Sequence, residues 1–80
     1  MKDWNYIGWS FDSDTFEIEG IDVWQHDWQR ANGEVAEVTD PAYGQGFSFV
    51  VYQIEHAGIR IRFAAGEFSN NVWGFYVPSQ

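Results

Sequence analysis

The residues best suited to binding chemistry in this 80-residue chain alternate between positions 24 and 30. If this segment is a strand, Trp24, His26, Trp28 and Arg30 share one face. Tryptophan and arginine supply the largest energetic anchors of protein interfaces, and a flat indole can stack on the apolar face of a sugar. The same alternation is also the common pattern of core rings with a histidine at the edge, so both interpretations stay open.

Acidic side chains concentrate in the N-terminal third and form a second candidate site. Three of the four basic residues come after this stretch. If the acids project from neighbouring strands, one edge of the protein is strongly negative and attracts a basic protein partner. The alternative is that they only keep an aromatic-rich protein in solution. The predicted patch comprises Asp12, Asp14, Glu17, Glu19 and Asp22.

Spacing typical of metal binding or catalysis is not visible. His26 and His56 are not at His-x-x-x-His spacing, and no loop of clustered carboxylates resembles a calcium site. Glu67 lies between small residues and an aromatic strand. A carboxylate that is partly buried there would have a raised pKa. A hydrogen bond between the Glu67 carboxylate and nearby loop backbone is the simpler interpretation. We predict no cofactor and no enzymatic activity; an enzyme using Glu67 and His26 is the least favoured alternative.

Composition limits the classes of partner and the compartment. The chain has 12 acids and 4 bases, a net charge of −8, which disfavours nucleic acids and anionic membranes. It has no cysteine, which excludes disulfides and thiolate metal sites and favours a reducing compartment. No signal peptide or membrane-spanning segment is visible, so we expect a cytoplasmic protein.

The fold prediction is a single small all-β domain spanning residues 1–80. We expect an antiparallel meander of about six or seven strands, curled into a barrel-like or sandwich sheet. Its core can be built from aromatic rings, because the chain contains 5 Trp, 4 Tyr and 7 Phe residues. The small residues 64–66 predict places where a ring lies flat across the backbone.

Tight turns fix the register of the last three strands. With Ala57-Gly58 as a two-residue loop, like residues meet on one face and opposite charges on the other. Asn70-Asn71 predicts the next hairpin, and Glu19-Gly20 an earlier one. The predicted pairs are His56 with Ile59, Glu55 with Arg60, Ile54 with Ile61, Gln53 with Arg62, Tyr52 with Phe63, Ser69 with Val72 and Phe68 with Trp73.

The segment before Asn32-Gly33 fits either a strand or a helix. If it is a strand, Asn32-Gly33 is the turn of a hairpin that joins it to the next strand. This hairpin places Arg30 opposite Val35. As one short helix over residues 22–31, it aligns the apolar residues in a stripe, and Asp22 begins a capping box. The turn dipeptide and the aromatic content favour the strand.

Apolar residues occupy both faces of the strand that follows residue 46. Phe47, Phe49 and Val51 share one face, whereas Tyr52 and Ile54 lie on the other. A single open sheet cannot leave such a face in water. Either the sheet closes on itself, or residues 1–31 cover the second face, or a second copy of the chain covers it as a homodimer.

Two binding functions fit these features. The first is a small acidic interaction protein that inhibits a basic partner; toxin-immunity proteins share this character of small size and acidity, without a motif match here. The alternative is a ligand-binding module that uses exposed rings for a sugar or small aromatic compound. The rings predicted for that module are Trp24, Trp28, Trp73 and Tyr76.

Overall fold

Seven strands and one turn of 3-10 helix make up the regular structure of residues 4–79, the part of the chain that the computed structural model describes. The strands are β1 (Trp4–Phe11), β2 (Glu17–Ile18), β3 (Ile21–Asp22), β4 (Gln29–Thr39), β5 (Gly46–His56), β6 (Ile59–Ser69) and β7 (Val72–Pro78). Five of them form one antiparallel sheet in the order β1-β7-β6-β5-β4. β2 and β3 form a separate hairpin. The all-β prediction is confirmed, although the sheet does not close into a barrel.

The predicted register of the β5–β6 hairpin is confirmed at every pair. Glu55 and Arg60 face each other, and their side chains form an exposed ion pair at 2.9 Å. The Glu19-Gly20 turn is also confirmed, because it joins β2 to β3 with Ile18 opposite Ile21. Alternation and turn chemistry therefore suffice to set these hairpins.

The hairpin predicted at Asn32-Gly33 is wrong. Both residues have the positive φ of a tight turn, 57° and 72°, yet the chain continues in the same strand. Arg30 pairs with Tyr52 and Val35 pairs with Val50, so residues 31–34 bulge out of β4. Pairing both halves of β4 with β5 buries Ala31, Ala36 and Val38 together, which a local hairpin could not do.

The segment 21–31 is neither one strand nor one helix. Ile21–Asp22 is β3, Val23–Gln25 is the 3-10 turn, and the strand resumes at Gln29. The Asp22 carboxylate caps the turn by accepting a hydrogen bond from the Trp24 N–H at 3.2 Å. The predicted helix over residues 22–31 is therefore a single 3-10 turn, and no helix within residues 4–79 is long and apolar enough to cross a membrane.

A second register correction falls near the Asn70-Asn71 loop. Ser69 does pair with Val72, but Trp73 pairs with Glu67 instead of Phe68. Phe68 is an extra residue in β6, a β-bulge, and its ring lies across Gly74. A strict two-residue alternation cannot anticipate such an insertion.

One face of the sheet, here called the covered face, is sealed by the chain itself. Residues 12–28 cross this face and place Ile18, Ile21 and Val23 on the sheet. The Phe16 ring stacks on Phe75 with centroids 4.3 Å apart. Of the three predicted ways to cover an apolar face, the N-terminal segment is the one used here. The sheet residues beneath it are Ile54, Ile61, Phe63, Ala65 and Phe75.

The opposite face, here called the concave face, is buried mainly by curvature of the sheet. Val38 of β4 and Tyr76 of β7 belong to one buried cluster, although two strands separate them in the sheet. The Tyr76 hydroxyl donates a hydrogen bond to the Thr39 carbonyl at 2.6 Å. The Phe49 ring lies flat across Gly66, as the run of small residues predicts. The sheet thus curls until its two ends nearly meet.

Candidate functional site

Trp24 and Trp28, the predicted aromatic anchors, help to seal the covered face. The Trp28 Nε1–H donates a hydrogen bond to the Val23 carbonyl, and the Trp24 Nε1–H donates one to the Ser10 hydroxyl, both at 2.8 Å. The ring centroid of Trp28 lies 5.2 Å from that of Phe63. Both side chains are half-buried. Their indole N–H groups are already hydrogen-bonded, and much of their ring surface already packs against other residues of the chain.

The other two residues predicted to share a face with them, His26 and Arg30, lie in different surroundings. The His26 ring lies against His56, with centroids 4.6 Å apart, whereas Arg30 is exposed on β4. His56 is at the turn end of the hairpin, and Glu67 lies far along β6, roughly 25 Å away at about 3.3 Å per residue. His26 and Glu67 therefore do not meet in one site.

Glu67 is exposed, so it is not the partly buried carboxylate of the less favoured interpretation. Its Oε2 accepts a hydrogen bond from the Asn71 N–H at 3.1 Å. This is the contact with loop backbone that the simpler interpretation predicted. Glu67 fixes the β6–β7 turn.

The predicted acidic patch divides into a structural member and exposed members. Asp22 is half-buried, and its Oδ1 accepts hydrogen bonds from the N–H groups of Phe16 and Trp24. The others are exposed, and none of them forms an ion pair with a base within residues 4–79. They leave a strip of uncompensated negative charge on the segment that crosses the covered face, namely Asp12, Asp14, Glu17 and Glu19.

An aromatic groove of about 390 Å³ opens on the concave face. Three side chains of β1 line it, namely Tyr6, Trp9 and Phe11, together with Phe68 of β6 and Val72 of β7. The loop over residues 40–43 closes the far side. Trp9 and Phe11 are about half exposed, at 51% and 50%, and Tyr43 is 89% exposed. Large rings on open surface are typical of a binding site.

A bulge in β1 creates this groove. Tyr6 pairs with Tyr76 and Gly8 with Phe75, so Ile7 is an extra residue between them. The bulge reverses the alternation and brings later β1 rings to the face that Tyr6 occupies. Gly8 permits this path because its φ is 143° and the Phe16 ring lies within 2.8 Å of the place where a Cβ would be.

Asp40 gives one end of the groove its charge. This half-buried carboxylate lies in the wall beside Tyr6. Burial, with a smaller effect of the Asp40 charge, raises the pKa of Tyr6. Burial first, then Asp40 and Tyr6, raises the pKa of Tyr76 to about 12. Both phenols are therefore neutral at pH 7, and the formal negative charge at this end comes from Asp40.

A second groove of about 590 Å³ lies on the other side of β1, between the β2–β3 hairpin and the start of β6. Glu17 and Glu19 line it, together with Arg60 and Arg62. Both arginines already have partners, because Arg60 pairs with Glu55, and Arg62 pairs with Glu34 and lies over the Trp4 ring. The arginines of this groove are paired with other carboxylates, so neither of them forms an ion pair with Glu17 or Glu19.

Residues 4–79 contain no group of three or more His, Cys, Asp or Glu side chains that could hold a metal ion. No protein-family model matches the chain, and comparison with curated proteins and with solved structures finds no match. The aromatic groove and the acidic strip are therefore the candidate sites on geometry and charge alone.

Unbroken alternation in β1 does not predict the aromatic groove. On that assumption Trp9 and Phe11 lie on the face opposite Tyr6. The available signal is Gly8 in the middle of an aromatic strand, since glycine inside a strand pattern often marks a bulge. Tyr43 lies in the loop that the proline and glycines predict, but nothing in the sequence indicates that this loop folds over β1.

Proposed function

We propose that this chain is a small acidic binding protein that captures a basic protein partner, in the manner of an inhibitor or immunity-type protein in the cytoplasm. The observation that carries the proposal is the exposed acidic strip, which forms no ion pair with a base within residues 4–79. A negative surface of this kind accelerates the encounter with a positive partner.

The aromatic groove supplies the contacts that would hold the partner. Phe11 lines the groove, Asp12 follows it directly in the chain, and Asp14 comes two residues later. Steering charge beside partly exposed rings is a common arrangement in interfaces, where charges set the association rate and buried aromatic anchors set the dissociation rate. In this proposal Trp9 and Tyr43 replace Trp24 and Trp28 as the anchors.

The test is a tagged pull-down from the native host, followed by stopped-flow kinetics with the recovered protein. Neutralising Asp14, Glu17 and Glu19 together should slow association and flatten its salt dependence, with a smaller effect on dissociation. The control is Glu37→Gln, which neutralises an exposed acid on β4 that lies outside the strip and forms no ion pair within residues 4–79, and its effect per charge should be smaller. Recovery of no basic protein, or association that is insensitive to salt, would contradict the proposal.

A ligand-binding module is the second candidate, because the exposed Trp9 and Tyr43 could stack on a sugar or small aromatic compound. The groove volume of 390 Å³ suits such a ligand, since small-molecule sites span roughly 300–1,000 Å³. Stacking responds little to salt, so saturable binding that is equal at low and high ionic strength would favour this candidate.

A homodimer would bury the same groove. Light scattering that gives the monomer mass from low to high micromolar concentration excludes this arrangement. A doubled mass would instead support a homodimer.

A further inference from the structure

One end of the aromatic groove combines a carboxylate with ring faces in a single cleft. Asp40 and Tyr6 lie there together, and the rings of Trp9, Phe11 and Phe68 continue along the groove. Ring faces attract cations, and a nearby carboxylate adds a full opposite charge. A neutral ligand can stack on the rings and hydrogen-bond to the carboxylate, but only a cation also gains the attraction of a full opposite charge.

The Asp40 carboxylate is held in place before any ligand arrives. Its Oδ1 accepts a hydrogen bond from the Ala42 N–H at 2.8 Å, which closes a turn within the loop. Its backbone N–H donates to the Gln45 carbonyl at 2.8 Å, and its carbonyl accepts from the Gly44 N–H at 2.9 Å. No hydrogen bond to Oδ2 and no ion pair to Asp40 comes from residues 4–79. One carboxylate oxygen is therefore preorganised for a ligand.

We propose that this end of the groove binds a lysine or arginine side chain of the partner. The cationic head lies between Asp40 and the ring faces of Tyr6 and Trp9, and the aliphatic stem continues along the groove. This inference rests on the proposed function, because it names the part of a basic partner that the groove holds. The net charge of −8 favours the approach of a cation over that of any other ligand.

The probe for the test is a hexalysine peptide, compared with the same peptide acetylated on every lysine. Calorimetric titration of the full chain should show binding of the first peptide and loss of binding for the second, because acetylation removes the charge. Asp40→Asn keeps an oxygen for the Ala42 N–H and removes only the charge. It should weaken hexalysine binding roughly tenfold or more, about the value of one charged hydrogen bond.

The matched control is Glu37→Gln, which makes the same charge change on β4. Glu37 is exposed and alternates with the buried Ala36 and Val38, so it lies on the side away from the groove. It should weaken binding by less than about twofold, as expected for a distant exposed charge. Trp9→Ala should reproduce the loss seen with Asp40→Asn, and Trp9→Phe should restore part of the binding.

Equal losses in Asp40→Asn and Glu37→Gln would mean diffuse attraction by net charge and would overturn the inference. Equal binding of the acetylated peptide would mean apolar docking and would also overturn it. If Asp40→Asn has no effect while the neutralised acidic strip still slows the natural partner, the proposed function stands and this inference fails. A thermal melt of each variant checks that the fold is intact.

Discussion

Both faces of the sheet carry apolar residues, but the two faces are buried in different ways. On the covered face, residues 12–28 lay Phe16, Trp24 and Trp28 across the sheet and satisfy both indole N–H groups internally. On the concave face no segment covers the sheet, and curvature buries only its middle. The uncovered part is the groove in which Trp9 is 51% exposed.

The difference shows that position relative to a covering segment, more than residue type, decides whether a tryptophan stabilises the fold or remains available to a partner. The aromatic groove relies on irregularities in two otherwise regular strands. The bulge at Ile7 turns the β1 rings toward the groove, and the bulge at Phe68 lays a ring across Gly74. Each irregularity occurs beside a glycine, which leaves room for the ring.

The comparison is tested most strongly by truncating one tryptophan on each face. Trp28→Ala should cost about 3–5 kcal/mol of unfolding free energy, because it removes a ring packed among five other aromatic rings and a hydrogen bond to Val23. Trp9→Ala should cost about 1 kcal/mol, since half of that ring is in water and it loses mainly its edge contact with Phe11.

Urea denaturation of both variants provides the measurement. The expected result is a large shift of the urea midpoint for Trp28→Ala and a small shift for Trp9→Ala. The dependence of the unfolding free energy on urea concentration should be similar in both variants. Equal losses of stability would contradict the division into a structural face and an available face.

The next largest effect concerns the close approach of rings to backbone on the concave face. In Gly74→Ala the new Cβ would lie 2.2 Å from the Phe68 ring, and such overpacking costs about 1–3 kcal/mol. Gly46→Ala is the control, because nothing lies within 4 Å of its added Cβ. Thermal or chemical unfolding that shows no difference between the two variants would mean that the ring moves away without cost.

An alkaline transition should report on Tyr76. Because its pKa is about 12 in the fold and about 10 in the unfolded chain, the neutral phenol stabilises the fold below pH 10. That stability should be lost as the pH rises from 10 to 12. Tyr76→Phe should flatten this loss and cost about 1 kcal/mol at pH 7 through the missing hydrogen bond to Thr39. If the unfolding free energy of Tyr76→Phe falls between pH 10 and pH 12 as steeply as that of the unmodified protein, the loss does not come from Tyr76.

The smallest effect belongs to the Glu55–Arg60 pair. Both side chains are largely exposed, at 62% and 61%, so a double-mutant cycle should give a coupling of about 0.2–1 kcal/mol that falls with added salt. Coupling well above that range would mean that this end of the hairpin is less hydrated than its exposure implies.

Local rules predicted the parts of the fold that local chemistry controls. The β5–β6 register follows from side-chain pairing alone, and Glu19-Gly20 follows from turn chemistry. Asn32-Gly33 shows the limit, because the same turn dipeptide forms a bulge when both flanking segments can pair with β5. The acidic strip was visible in the sequence, whereas the groove depends on where the loop over residues 40–43 folds against β1, a long-range contact that no local pattern encodes.

The most direct test of the central claim uses the indole N–H signals in an NMR titration with hexalysine. The account predicts that the Trp9 signal shifts progressively, while those of Trp24 and Trp28, which are hydrogen-bonded on the covered face, stay in place. The acetylated peptide should leave all three unchanged. Shifts of Trp24 and Trp28 with a constant Trp9 signal would contradict the claim that the concave groove is the binding site.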